Sequence, residues 1–340
     1  MTMDLAYLWF FIVGFFFIGY FVLDGFDFGV GMSLPFLSKD DTDRRVLINT
    51  IGPIWDLNET WLIVAGAAMF AAFPEWYASM FSGFYLALLL ILIALILRGV
   101  SFEYRHQNKG REWTKWFDRM IFVGSVVPAL LWGVAFANLI QGVPMDADHN
   151  FTGTFFTLLN PYGLLGGLTT LMLFFTHGVV FVSLKTTGEM RERAQKLARK
   201  AGAITILVAA AFLGWTILQH LESPHLWLIM TLAVLAAVAL IASWLFNAVG
   251  REGLAFAAIA LTIVFAVATI LSALFPNVMP ASNVPANGLT IENASSTPYT
   301  LNLMTWVAGI SLPLILGYQS WTYWVFRKRI TRQTVLASSH

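Results

Sequence analysis

The stretch LWFFIVGFFFIGYFVLDGFDFGVGMSLP, Leu8 to Pro35, decides how the rest of the chain is read. As a helix rising 1.5 Å per residue it is long enough to cross about 30 Å of hydrocarbon, yet it contains Asp24 and Asp27. Each acid in a lipid-spanning helix costs about 3 kcal/mol on insertion scales, so both are functional candidates by default. Their i, i+3 spacing puts them on one helical face, and Gly25 and Gly29 form a small-xxx-small pair that lets another helix approach beside them. The acids therefore face protein. Sharing one site open to the cytoplasm, they suit proton conduction or storage; the alternative is that they lie near the helix end and snorkel or pair with a neighbouring Arg.

Composition carries the same reading to the whole chain. Of 340 residues, 58% are hydrophobic and 11% charged, which specifies an all-α polytopic membrane protein, a single helical bundle over 1–340. Apolar runs near 7–35, 52–73, 77–102, 117–142, 161–186, 201–221, 225–248, 252–275 and 301–326 predict nine transmembrane helices. The basic residues test that count. They cluster after the first run (Lys39, Arg44, Arg45), around the loop after the third (Arg98 to Arg119), after the fifth (Lys185 to Lys200), after the seventh (Arg251) and after the ninth (Arg327 to Arg332). The connections near 74–76, 143–160, 222–224 and 276–300 contain neither Lys nor Arg, so the positive-inside rule puts the N-terminus outside and the C-terminus in the cytoplasm. The longest outer segments, 143–160 and 276–300, read as ordered caps or short loops. The first run has no basic n-region, Asp4 precedes it, and it is too long for a secretory signal, so it is expected to be retained. A net charge of +1 gives no sign of nucleic-acid binding, the basic residues being accounted for by orientation and anionic lipid. With no cysteine there is no disulfide, thiolate metal site or Fe–S ligation.

A second acid pair, Asp56 and Glu59, opens the run Pro53–Phe73 in the segment PIWDLNETW. Acids in a first turn gain from the helix dipole, which would make them a simple cap. Asn58 between them and Trp55 and Trp61 around them favour a protein-facing polar site instead. Arg98 is the natural partner for a carboxylate of the first or second helix, or else it only begins the basic stretch at the interface. The first four helices contain no His. His106, His149, His225 and His340 read as loop or terminal positions, His220 as a helix end, and His177 alone lies inside an apolar run, where packing is the expected role. That inventory predicts no haem held by this chain.

The segments GYFVLDGFDFGVG, DRRVLINTIGPIWDLNETWLIVAGAAMFAAFP, FSGFYLALLLILIALILRGVSFEYR, GVAFANLIQGVP, FFTLLNPYGLLGG and NLMTWVA closely resemble subunit II of the bacterial cytochrome bd-type quinol oxidases, in order from the first helix to the last. Region 187–250 is the least similar, and the connection near 222–224 is short for the family. The resemblance implies a multi-pass inner-membrane subunit paired with a homologous subunit I. That partner would carry haems b and d, oxidise quinol and reduce O₂. Subunit II would stabilise it, supply cytoplasmic protons and hold a structural quinone, with a small accessory subunit as a further partner. Carried over by motif, Asp24 and Asp27 are uptake-side acids, Asp56 is the deeper carrier and Arg98 lies near the subunit boundary. Glu59 stands where some members have an uncharged residue. The reading from a different class is a proton-coupled secondary transporter, with the acid pairs as coupling sites.

Overall fold

The computed structural model describes residues 2–108 and 110–337, with the side chains of residues 2–4 excluded; Asp4's side chain, Lys109 and His340, which the sequence reading used, lie outside the described residues. The helices follow in order as α1 (Thr2–Leu37), α2 (Asp41–Ile51), α3 (Trp55–Ala72), α4 (Pro74–Gly83), α5 (Tyr85–Tyr104), α6 (Arg111–Gln141), α7 (Phe155–Leu158), α8 (Pro161–Lys185), α9 (Gly188–Gln219), α10 (Leu226–Ala248), α11 (Glu252–Leu274), α12 (Ile291–Ala294), α13 (Pro298–Val325) and α14 (Arg332–Ala337). Eight helices among the described residues are long and apolar enough to cross a membrane: those containing α1, α5, α6, α8, α9, α10, α11 and α13. The remaining expected span, 52–73, is α3, which has 18 residues and carries both acids of the second pair near its start.

Several boundaries differ from the expected ones, each for a local reason. The run 77–102 is divided: Pro74 starts α4 in its first turn, the helix stops at Gly83, and Phe84 separates it from α5. The runs 117–142 and 201–221 lengthen to α6 and α9, because segments such as GEMRERAQKLARK are good helix formers that continue past the apolar part. The basic connection after the first run folds as α2. The Asp40 side chain caps it by accepting from the Asp43 N–H, and Val46, Leu47, Thr50 and Ile51 form its buried face. The two long connections 143–160 and 276–300 form one cap. Strand β1 (Asn277–Met279) pairs antiparallel with β2 (Leu289–Thr290), Val143 bridges to Ala281, and α7 and α12 each begin with a capping box.

Helix α1 is the axis of the bundle and packs against α3, α6, α8 and α11. Its partner at the glycine groove is α8. A Cβ on Gly29 would lie 2.0 Å from the Phe174 carbonyl oxygen, and one on Gly178 would lie 2.3 Å from the Gly29 carbonyl carbon, so the backbones meet where neither residue can have a side chain. Phe17, Tyr20, Phe21, Trp132 and Phe136 interlock edge to face on the outer side of this crossing. At the other extreme stands α13. Only 6% of its apolar window is buried, against 67% for α6 and α8.

Candidate functional site

The acids of α1 meet α3 and α5 just inside the helix ends that carry the basic clusters. On α3 the inward stripe is Asn58, Trp61, Ala65, Ala68, Met69 and Ala72, at helical spacing. On α5 it includes Ile91, Ala94, Leu95 and Arg98. Arg98 is sealed in by α6, where Gly124 leaves no room for a Cβ against Ala94 and Arg98. The guanidinium Nη2 donates to Asp24 Oδ1 at 2.6 Å and to Glu59 Oε2 at 3.4 Å, and it lies over the Phe28 ring at 4.3 Å. Arg98 and Asp24 have no exposed surface, while the Glu59 side chain is 22% exposed.

Asp27 belongs to a second branch. Its Oδ2 accepts from Asn58 Nδ2 at 2.8 Å, and Asn58 Oδ1 accepts from Tyr323 Oη at 2.7 Å and Gln319 Nε2 at 3.3 Å. Trp61 Nε1 completes the branch by donating to Gln319 Oε1 at 2.7 Å. Asn58 is thus the junction of α1, α3 and α13. Gln319 and Tyr323 escape a reading by motif, although their i, i+4 spacing on an otherwise apolar helix was a usable signal. Asp24 Oδ2, Asp27 Oδ1 and Arg98 Nε and Nη1 are buried without a hydrogen-bond partner among the described residues, so the cluster retains unused donor and acceptor capacity.

Three expectations need correction here. Asp24 and Asp27 are not open to the cytoplasm, because both are fully buried beneath α3, α5 and α13. Asp56 is exposed and does not join the cluster. Two positions before Asn58 it points about 200° away from the inward stripe, and its Oδ1 accepts from the Leu57 N–H at 2.8 Å. Arg98, expected near the subunit boundary, is fully buried within this chain, where α6 closes over it. The two indoles also part company: Trp61 bonds within the cluster, while Trp55 is half-buried on Phe102. Two cavities flank the turn Gly52–Ile54 that launches α3. One, of about 310 Å³, is lined by Asn49, Trp55, Glu103 and His106; the other, of about 420 Å³, lies between Asn49, Gly52 and Pro53 and the C-terminal residues Ile330, Thr334 and Val335.

Beyond the membrane-facing helices, the basic clusters are organised by acids. Arg105 bridges Asp118 and Asp41 at 2.6 and 2.7 Å, and Asp43 accepts from Arg193 and Arg332. The hydrogen bond from Arg332 beside it holds the Asp40 carboxyl below the usual carboxylate range. His177 is fully buried; its Nε2 lies 3.0 Å from the Val22 carbonyl oxygen, and Phe256 stacks on the ring at 4.8 Å. No group of three or more His, Asp or Glu among the described residues is arranged to hold a metal ion.

The family model for cytochrome bd terminal oxidase subunit II matches residues 5–326. Cytochrome bd ubiquinol oxidase subunit 2 of Bacillus subtilis strain 168 is 40% identical over 327 residues, covering 96% of this chain and 97% of the relative. Cytochrome bd-I ubiquinol oxidase subunit 2 of Escherichia coli K12 is 38% identical over 373 residues, covering 99% and 98%. Among solved structures, a chain of the bd oxidase from Geobacillus thermodenitrificans is similar with a TM-score of 0.77 at 17% identity, covering 95% of this chain and 98% of that one, a likeness of fold.

Proposed function

The chain belongs to the cytochrome bd terminal oxidase subunit II family, and from that premise we propose that it is the haem-free subunit that supplies protons to its quinol oxidase and stabilises subunit I. It is a multi-pass inner-membrane protein of an oxidoreductase complex. With α3 counted as the ninth crossing, the basic clusters face the cytoplasm, the N-terminus lies outside and the C-terminus inside. The family assignment displaces the transporter reading.

One observation carries the proposal: three of the four acids gather at the cytoplasmic end of α3, with Asp24 and Asp27 enclosed and Glu59 at the rim, while Asp56 stands outside one turn away. A carboxylate turned outward from a spanning helix needs a polar neighbour that lipid does not provide. Subunit I, lying along α3 and the bare α13, supplies it. Cytoplasmic water reaches the two cavities beside the α2–α3 turn, Asp56 passes protons on to the partner, and Glu59 links Asp56 to the buried acids. Asp24 neutralises Arg98, and the pair fixes α1 to α5.

The haems, when bound, supply electron transfer and O₂ reduction, and the residues here do not fit them: His177 turns one ring nitrogen to a backbone carbonyl beneath a stacked phenyl ring. For a structural quinone the bundle offers a cavity of about 170 Å³, lined by Phe136, Leu173, Phe212, Leu240, Ile263 and their neighbours, with room for a short apolar stretch of an isoprenoid-type tail and not for the ring.

The test uses the purified complex. Asp56→Asn should leave yield and the reduced-minus-oxidised haem spectrum within about twofold of the parent while turnover falls about tenfold or more, the range for losing a positioned proton carrier. Normal turnover at full haem content would sink the proton-supply role.

A further inference from the structure

After α13 the chain crosses the cytoplasmic face as a strap. Lys185 Nζ donates to the Phe326 and Lys328 carbonyl oxygens, the Ile330 N–H donates to the Lys185 carbonyl oxygen at 2.7 Å, and Ile330 forms a β-bridge with Thr186. Arg329 faces Glu252 at 3.7 Å. Arg332 then forks, with Nη1 on Asp43 Oδ1 at 2.5 Å and Nη2 on Asp40 Oδ2 at 2.7 Å, and α14 settles on α2 with Val335 buried. Asp43 is the fixed point. It is fully buried and also accepts from Arg193 Nη2 at 2.8 Å and from the Lys39 N–H at 3.0 Å.

What the strap does is set by where it ends. Ile330, Thr334 and Val335 form one wall of the 420 Å³ cavity, and the opposite wall is Asn49, Gly52 and Pro53, the end of α2 and the turn three residues before Asp56. An ionic latch between two carboxylates at the start of α2 and one guanidinium of the strap therefore fixes both walls at once. We infer that Asp43 and Arg332 are positioning residues for proton uptake: their latch holds the C-terminal strap against α2 and so sets the water-accessible approach to Asp56. This rests on the proton-supply reading above. Bidentate geometry makes Lys only a partial substitute for Arg332, because it reaches one of the two acceptors.

The experiment is turnover against pH in the intact complex for Arg332→Gln, Arg332→Lys and Arg332→Gln carrying Thr186→Cys and Ile330→Cys. The chain has no cysteine, so the added pair is the sole thiol pair it can form, and β-bridge partners lie at a spacing a disulfide can span. Proton capture limits turnover most where protons are scarce. Arg332→Gln should therefore lose about tenfold more activity at high pH than at low pH, below the roughly hundredfold that a 1 Å misplacement at the reacting centre can cost, with the haem spectrum unchanged. Arg332→Lys should recover part of that loss, and oxidising the cysteine pair should restore the parent's profile by pinning the strap again. An unchanged pH profile overturns the inference. So does a changed profile that the disulfide leaves as it was, because Arg332 would then act through its charge and not by holding the strap. If Asp56→Asn keeps full turnover while Arg332→Gln still shifts the profile, the proton-supply reading has failed and the latch acts on another group.

Discussion

Two acid pairs with the same i, i+3 spacing end in opposite surroundings. On α1, both carboxylates are enclosed, one against a guanidinium and the other against an amide. On α3, one carboxylate reaches back to the same guanidinium and the other faces outward. The difference lies in the helices around them. α1 is packed by four others and the stretch Asp24–Leu34 is buried all round, whereas α3 is covered on one stripe only. Spacing puts two side chains on one face, and the neighbours decide whether that face is inside.

The comparison breaks most visibly at Arg98, the group both pairs share. Arg98→Ala leaves Asp24 buried without its cation, a change worth about 3–5 kcal/mol, and should abolish recovery of the assembled complex on a size-exclusion profile. Arg98→Lys should recover little, because a compact, strongly hydrated ammonium loses the planar guanidinium's contact over Phe28 and costs more to bury. Asp24→Asn and Asp56→Asn sharpen the contrast directly. In thermal unfolding of the complex, Asp24→Asn should destabilise by about 2–4 kcal/mol, and Asp56→Asn by less than about 1 kcal/mol. Equal losses would mean that the two pairs are buried alike in the assembly. Asn58→Leu removes the junction and leaves Asp27, Gln319 and Tyr323 short of partners, so a loss of about 1–3 kcal/mol is expected with α13 detaching first, seen as faster exchange of its amides.

The smallest effect lies at Asp40. Its carboxyl is held low by Arg332, with Asp43 and Arg193 also facing it, so the folded group releases its proton more readily than the unfolded one. The stability it adds is present above the ordinary carboxylate range and disappears as pH falls through the lowered value. Proteolysis of the strap should therefore be flat from neutral to mildly acidic pH and rise only in strong acid.

Much of this was legible in the chain. Leu8–Pro35 gave a spanning helix with acids and a glycine groove, and Gly29 does meet Gly178. Arg98 stood out as the partner for an acid because a lone cation in an apolar run needs one. Asp56 shows the limit. Nothing local distinguishes its direction from that of Glu59, since the inward stripe of α3 is defined by α1 and α13. Tyr323 reaches Asn58 from 265 residues away, a contact that no short pattern encodes. Helix α2 was hidden by its charges, because an 11-residue amphipathic helix has no long apolar run to announce it.

Helix α3 also has a mechanical consequence. Eighteen residues rise about 27 Å, slightly less than the hydrocarbon layer, while α6 and α8 are longer by one turn or more. Lipid packed along α3 would have to compress to match it, at a fraction of a kcal/mol per ångström. That elastic strain falls on the side of the bundle that displays Asp56, and it is relieved when a protein surface of matching height takes the place of the lipid. A thin bilayer should consequently weaken the subunit pairing, and a thick one should strengthen it.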